Sequence, residues 1–197
     1  MARWQPGTRE RLQATALQLF LDRGFETTTV ADIARAAEVT ERTFFRHFAD
    51  KREVLFAGQD DFLQMFVGPI QDAPPDAPPV DLVARALAGA GTYFVEDRRE
   101  WSRNRQRVID AEPALGEREL AKLSGLGARL AELFRERGVP EPAATLVAQS
   151  GVTVFHLAFA QWIAPGETRT LPELATERLE ALTATMGRPR MTGRRAV

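Results

Sequence analysis

Arg42, Thr43, Phe45 and Arg46 are crowded into one short stretch flanked by Thr40 and His47. Together these side chains form no bond-breaking apparatus; they hydrogen-bond and pack. A guanidinium pairs in fork geometry with the O6 and N7 of guanine, and a threonine methyl packs against that of thymine. The chemistry implied is therefore recognition of base edges and phosphates. Catalysis finds no comparable set: the chain has no cysteine, and its two histidines, His47 and His156, lie far apart. Disulfides, thiolate metal sites and cysteine nucleophiles are thereby excluded, and no nucleophile–base arrangement is legible. The expectation is a protein without catalytic residues, metal or cofactor.

The elements that must position this stretch follow from hydrophobic spacing. Thr40 can cap a helix over Glu41–His47, with Phe44 and Phe48 turned inward at i, i+4 and Arg42, Thr43, Phe45 and Arg46 facing out. Before it, Thr29 with Asp32 forms a capping pattern, and Val30, Ile33, Ala34 and Ala37 make one apolar face. Only Glu38 and Val39 separate the two helices. An earlier helix, from about Pro6 to Phe25, carries Leu12, Ala16, Leu19 and Phe20 inward and ends at Gly24. Two short helices joined by a tight turn, the second polar outside, form the pattern of a DNA-reading helix-turn-helix.

The remainder also reads as helix, giving an all-α fold. Asp50 with Glu53 caps a fourth helix through Val54, Leu55, Phe62, Met65 and Phe66 towards Gly68 and Pro69; it is long enough to link two domains. Four prolines between Asp72 and Pro79 mark a loop. Helices are then expected at about 81–97, 99–112, 114–137, 142–164 and 171–186. The expected domains are 1–50 for the helix-turn-helix and 51–187 for the rest, with a flexible basic tail over 188–197. Gly89-Ala90-Gly91 lacks the third glycine of a dinucleotide loop and reads as close helix packing. No apolar run long enough to cross a bilayer and no signal-peptide stretch is read, so no membrane contact and a cytoplasmic location are expected. A net charge of −1 requires any DNA-binding surface to be local.

In order, Leu12, Ala16, Leu19-Phe20, Gly24, Thr28-Thr29-Val30, Ile33-Ala34, Ala37, Val39-Thr40, Thr43-Phe44-Phe45, His47-Phe48 and Lys51 resemble the N-terminal signature of the TetR repressor family over about residues 8–56. The resemblance implies a three-helix module that binds operator DNA, a linking helix, a variable ligand domain and a dimer formed by the last two helices. It implies DNA-contacting roles for Thr40, Arg42, Thr43, Phe45 and His47 and a phosphate contact for Lys51; Arg46, on the outward face of helix three, and Thr29 are further DNA-contact candidates. Two positions depart from the family: Glu38 stands where glycine is usual, and Phe45 where tyrosine is frequent.

The implied partners are double-stranded DNA with a palindromic operator, a second copy of the chain and a small, largely apolar effector. Phe62, Phe66, Phe94, Trp101, Phe155 and Phe159, with Arg105 as a polar group, are the candidate ligand-lining residues, since such pockets are aromatic with few polar groups. For the dimer, the penultimate helix carries two apolar stripes, Ala143, Val147, Gly151, Val154, Ala158 and Trp162, and Phe155, Phe159 and Ile163, one to be buried against its own domain and one against the second copy, and the last helix adds Leu171, Leu174, Leu179, Leu182 and Met186. The competing reading is a helix-turn-helix interaction protein without operator binding.

Overall fold

A computed structural model describes residues 7–187; the tail over 188–197 falls outside them. Among the described residues there are ten α-helices and no strand: α1 (Thr8–Arg23), α2 (Val30–Ala36), α3 (Glu41–His47), α4 (Glu53–Phe56), α5 (Gln59–Gln71), α6 (Pro79–Gly91), α7 (Glu96–Ala111), α8 (Pro113–Glu136), α9 (Ala143–Trp162) and α10 (Leu171–Met186). They form two compact units. One takes residues 7–64 together with Glu96–Leu126; the other takes Met65–Val95 together with residues 127–187.

In the first unit Leu12, Ala16 and Phe20 of α1, Ile33 of α2, Phe44 and Phe48 around α3, and Val54, Leu55 and Phe56 of α4 share one apolar core. Val108 and Ile109 of α7 and Leu115 of α8 complete it. Phe44 is fully buried and Phe48 nearly so, the inward stripe expected of helix three. The expected fourth helix is instead two. After α4, Ala57 is extended and Gly58 takes φ +87°, so the chain turns before α5 begins. The Leu55 carbonyl, which a continuous helix would satisfy from residue 59, accepts a 2.7 Å hydrogen bond from Arg105 Nε.

The second unit packs α6, α9 and α10 together. Pro69, expected to end the helix, lies inside α5, which runs on to Gln71. A proline at 69 has no N–H for the Met65 carbonyl, and α6 seals that carbonyl by laying Gly89 on it. A Cβ at Gly89 would collide with the Met65 oxygen and the Pro69 ring, and one at Gly91 with Pro172 of α10. The glycine pair is thus the close packing expected of it.

Two expectations for α9 need correction. Against the expectation of no such run, the helix is long and apolar enough to cross a membrane by length and composition, its polar residues such as Thr145, Gln149 and Thr153 being interspersed among apolar ones. Its Ala144, Ala148, Gly151, Val154, Ala158 and Trp162 are buried within the folded unit, as in a core helix. Phe155 is also buried in its own unit; the large apolar side chains left outward are Leu146 at 63% exposure and Leu157 at 54%.

Candidate nucleic-acid interface

The site is built from two caps and a turn. At the start of α2, Thr29 Oγ1 accepts from the Asp32 amide at 3.1 Å, and the Asp32 carboxylate accepts from the Thr29 amide at 3.1 Å. The Thr29 hydroxyl, which donates to the same carboxylate at 2.6 Å, and then the Thr29 amide hold the Asp32 carboxyl below its usual range. At the start of α3, Thr40 Oγ1 accepts from the Thr43 amide at 3.1 Å, and the two hydroxyls lie 3.0 Å apart. Between the helices Glu38 adopts φ +55°, the left-handed conformation that glycine takes without strain. The chain is held there: the Val39 amide donates to the Ala34 carbonyl at 2.9 Å, and Arg11 Nε reaches from α1 to the Ala37 carbonyl at 3.2 Å. Arg11, which has the look of a surface arginine in the sequence, therefore ties α1 to the turn.

This framework leaves the outward face of α3 open. Arg42 and Arg46 are exposed and have no ion pair among the described residues, and Phe45 is 54% exposed, edge-on to buried Phe44. Two unneutralised guanidiniums beside a bare aromatic ring supply the local positive charge that a net charge of −1 does not. Thr40 is exposed and Thr43 half-buried, their hydroxyls shared with the cap. His47 is half-buried, and its Nε2 is buried with no hydrogen-bond partner.

Lys51 stands apart from this face. Its Nζ donates to the carbonyls of Phe25, Glu26 and Thr28 at 2.8, 3.1 and 3.2 Å and lies 4.3 Å from the centroid of the Phe25 ring. An ammonium has three N–H groups, and all three are engaged in the turn between α1 and α2. The sequence carries no signal for these long-range bonds.

The candidate ligand-lining residues fall into two groups. In the second unit Phe66, Phe94, Phe155 and Phe159 come together with Trp162, ring centroids 5.0–5.9 Å apart, in edge-to-face and tilted contacts typical of a filled aromatic core. A groove of about 260 Å³ in that unit is lined instead by α6 and α10, including Val80, Leu87, Pro172 and Leu179. In the first unit Trp101 packs against the apolar core. Arg105 is buried, its Nη2 2.7 Å from Glu119, and the ring of Phe62 lies 4.4 Å below the Lys122 ammonium.

A capped helix pair with a tight turn and an exposed basic-aromatic second helix defines a helix-turn-helix protein. Residues 12–57 match the family model for bacterial regulatory proteins of the tetR family, and residues 77–187, more than half of the chain, match that for the MftR C-terminal domain. The chain belongs to the TetR family of bacterial regulatory proteins. It is 42% identical over 83 residues to the HTH-type transcriptional regulator TcmR of Streptomyces glaucescens, a match covering 42% of this chain and 35% of TcmR. It is 28% identical over 130 residues to a protein of Mycobacterium tuberculosis described as the mycofactocin biosynthesis transcriptional regulator MftR, covering 66% of this chain and 65% of that one. The chain thus spans about a third of one curated relative and just under two thirds of the other. Among solved structures, AibR in complex with isovaleryl coenzyme A and operator DNA shares the fold at a TM-score of 0.55 and 22% identity, covering 88% of this chain and 97% of AibR.

Proposed function

We propose that this protein is a sequence-specific DNA-binding transcriptional regulator, a homodimeric repressor that binds a palindromic operator and is released by a small-molecule effector in the cytoplasm. The observation that carries the reading is the outward face of α3, where Arg42, Phe45 and Arg46 are exposed on a helix whose other side is locked into the core. Arg42, near the N-terminal end of α3, is the base reader; Thr29, Thr40, Thr43, Phe45, Arg46 and His47 contribute base-edge and phosphate contacts. Lys51 supports this surface by fixing the turn that leads into α2.

For the second copy, the outward stripe of α9 through Leu146, Gln149, Thr153 and Leu157, at steps of three and four, supplies a self-complementary surface beside exposed residues of α10 such as Met186. The effector reading is supported by the family, and AibR illustrates one fold holding a ligand and operator DNA together. The effector works by favouring a conformation with lower operator affinity. Selection of bound duplexes from a random pool with the full chain tests the function: recovery of a palindrome with half-sites about one helical turn apart is expected. Absence of any enriched sequence would favour the interaction protein without operator binding.

A further inference from the structure

The first unit contains a second cluster of charges that DNA recognition does not use. Arg105 of α7 and Lys122 of α8 share a single carboxylate: Glu119 Oε2 lies 2.7 Å from Arg105 Nη2, and Glu119 Oε1 lies 2.6 Å from Lys122 Nζ. All three are withdrawn from solvent without being sealed, with side-chain exposures of 9%, 13% and 15% for Arg105, Lys122 and Glu119. Arg118 alongside is matched by its own partner, Glu53. Arg105 has a structural task, since its Nε satisfies the Leu55 carbonyl where the linking segment breaks and its guanidinium lies 5.1 Å from the Phe56 ring. Arg105 with Glu119 suffices for that task. Lys122 adds a second buried cation with no carboxylate of its own among the described residues, only the Phe62 ring at 4.4 Å.

Burying a surplus charge is costly, and the lysine shows it: burial, with the adjacent Arg105, pushes its pKa down to about 8. A cluster serving only stability would do as well with methionine at 122, which keeps the apolar stem and discards the charge. We propose that Arg105, Glu119 and Lys122 anchor the carboxylate of an amphiphilic effector, the acid group completing the charge balance at Lys122 and its apolar part lying along Phe62. A monoanion matches the single surplus charge, and a carboxylate is an acceptor suited to short bonds with both cations. This rests on the reading of the protein as a ligand-responsive regulator, and it narrows the effector from an apolar molecule to an apolar acid.

The chain contains only two lysines, Lys51 and Lys122, so lysine labelled with carbon-13 at Cε gives two side-chain signals in NMR spectra of the full chain. Octanoate and 1-octanol, equal in chain length and different in charge, are the probes. Octanoate is expected to raise the Lys122 midpoint from about 8 by a unit or more and to bind about tenfold more tightly than octanol. Lys122→Met should reduce that preference to within about twofold. Glu119→Gln should strengthen octanoate binding, because the ligand carboxylate then replaces the missing one; a purely structural ion pair predicts no gain. An unmoved Lys122 midpoint, equal affinity for the two probes, or an undiminished preference in Lys122→Met would each overturn the anchor. If the variants do not fold, the wild-type midpoint and affinity ratio decide alone. Because these readouts involve no DNA, failure here with a palindrome recovered by selection removes the anchor and leaves the regulator, and the converse result does the reverse.

Discussion

Lys51→Met separates two roles for a lysine next to a DNA-reading surface. In the structure the ammonium donates to three carbonyls of the α1–α2 turn at 2.8–3.2 Å from a half-buried position. Charge-assisted bonds to carbonyls contribute about 1.5–3 kcal/mol each when well buried, but water can reach these carbonyls once the ammonium is gone. Methionine keeps the stem over Phe25. The net loss expected is therefore about 2 kcal/mol of unfolding free energy, read as a lower urea midpoint with unchanged slope by circular dichroism. Thr28 and Thr29 lead directly into α2, so affinity should fall on all DNA while the number of phosphate contacts is preserved. In fluorescence anisotropy the dependence of log affinity on log salt should keep its slope. A phosphate-contacting lysine predicts the opposite pair: stability unchanged, and a slope shallower by about 0.9 per contact, near two units for a dimer. That pair of results would refute the structural role.

Arg42→Ala should cost about 1–3 kcal/mol per half-site on the selected operator and much less on random DNA, measured as the ratio of the two affinities. Glu38→Gly, which relieves φ +55° in the turn, should raise the unfolding free energy by about 0.5–1 kcal/mol after the entropy of the freer unfolded chain is counted; a loss would show that the turn is not strained. Lys122 binds its proton less tightly when folded than when unfolded, so stability should rise as pH climbs from about 8 towards 10.5, and Lys122→Met should abolish that rise in urea titrations. Glu119 works in the other sense: Arg105 and Lys122 lower its pKa despite burial, so its contribution is present above the usual carboxyl range and is lost as acid titrates the folded form.

Local signals were legible in the sequence and long-range polar bonds were not. The Thr29–Asp32 and Thr40–Thr43 caps, the inward Phe44 and Phe48, and the bounds of α3 follow from spacing of three and four residues, which a helix enforces by itself. The break at Ala57–Gly58 had a local signal, a glycine followed by Asp60 and Asp61 in a new first turn, but the apolar periodicity through Val54, Phe62 and Phe66 outweighed it. What decides the break is Arg105, fifty positions away, taking the Leu55 carbonyl. Lys51 and Arg11 show the same thing: which carbonyl a long cationic side chain meets is set by tertiary placement, and no periodicity encodes it. For α9, apolar composition indicated more than one buried face but not which: Phe155 went to its own core and Leu146 and Leu157 were left outside.

Whether the outward face of α3 reads DNA sequence for a two-fold symmetric protein is decided by titrating the selected palindrome and a random duplex with the full chain at one fixed salt concentration. Two copies of the chain per palindrome are expected, with an affinity at least about 10³-fold above that for random DNA. One copy per duplex, with equal affinity for the two, would contradict this role for α3.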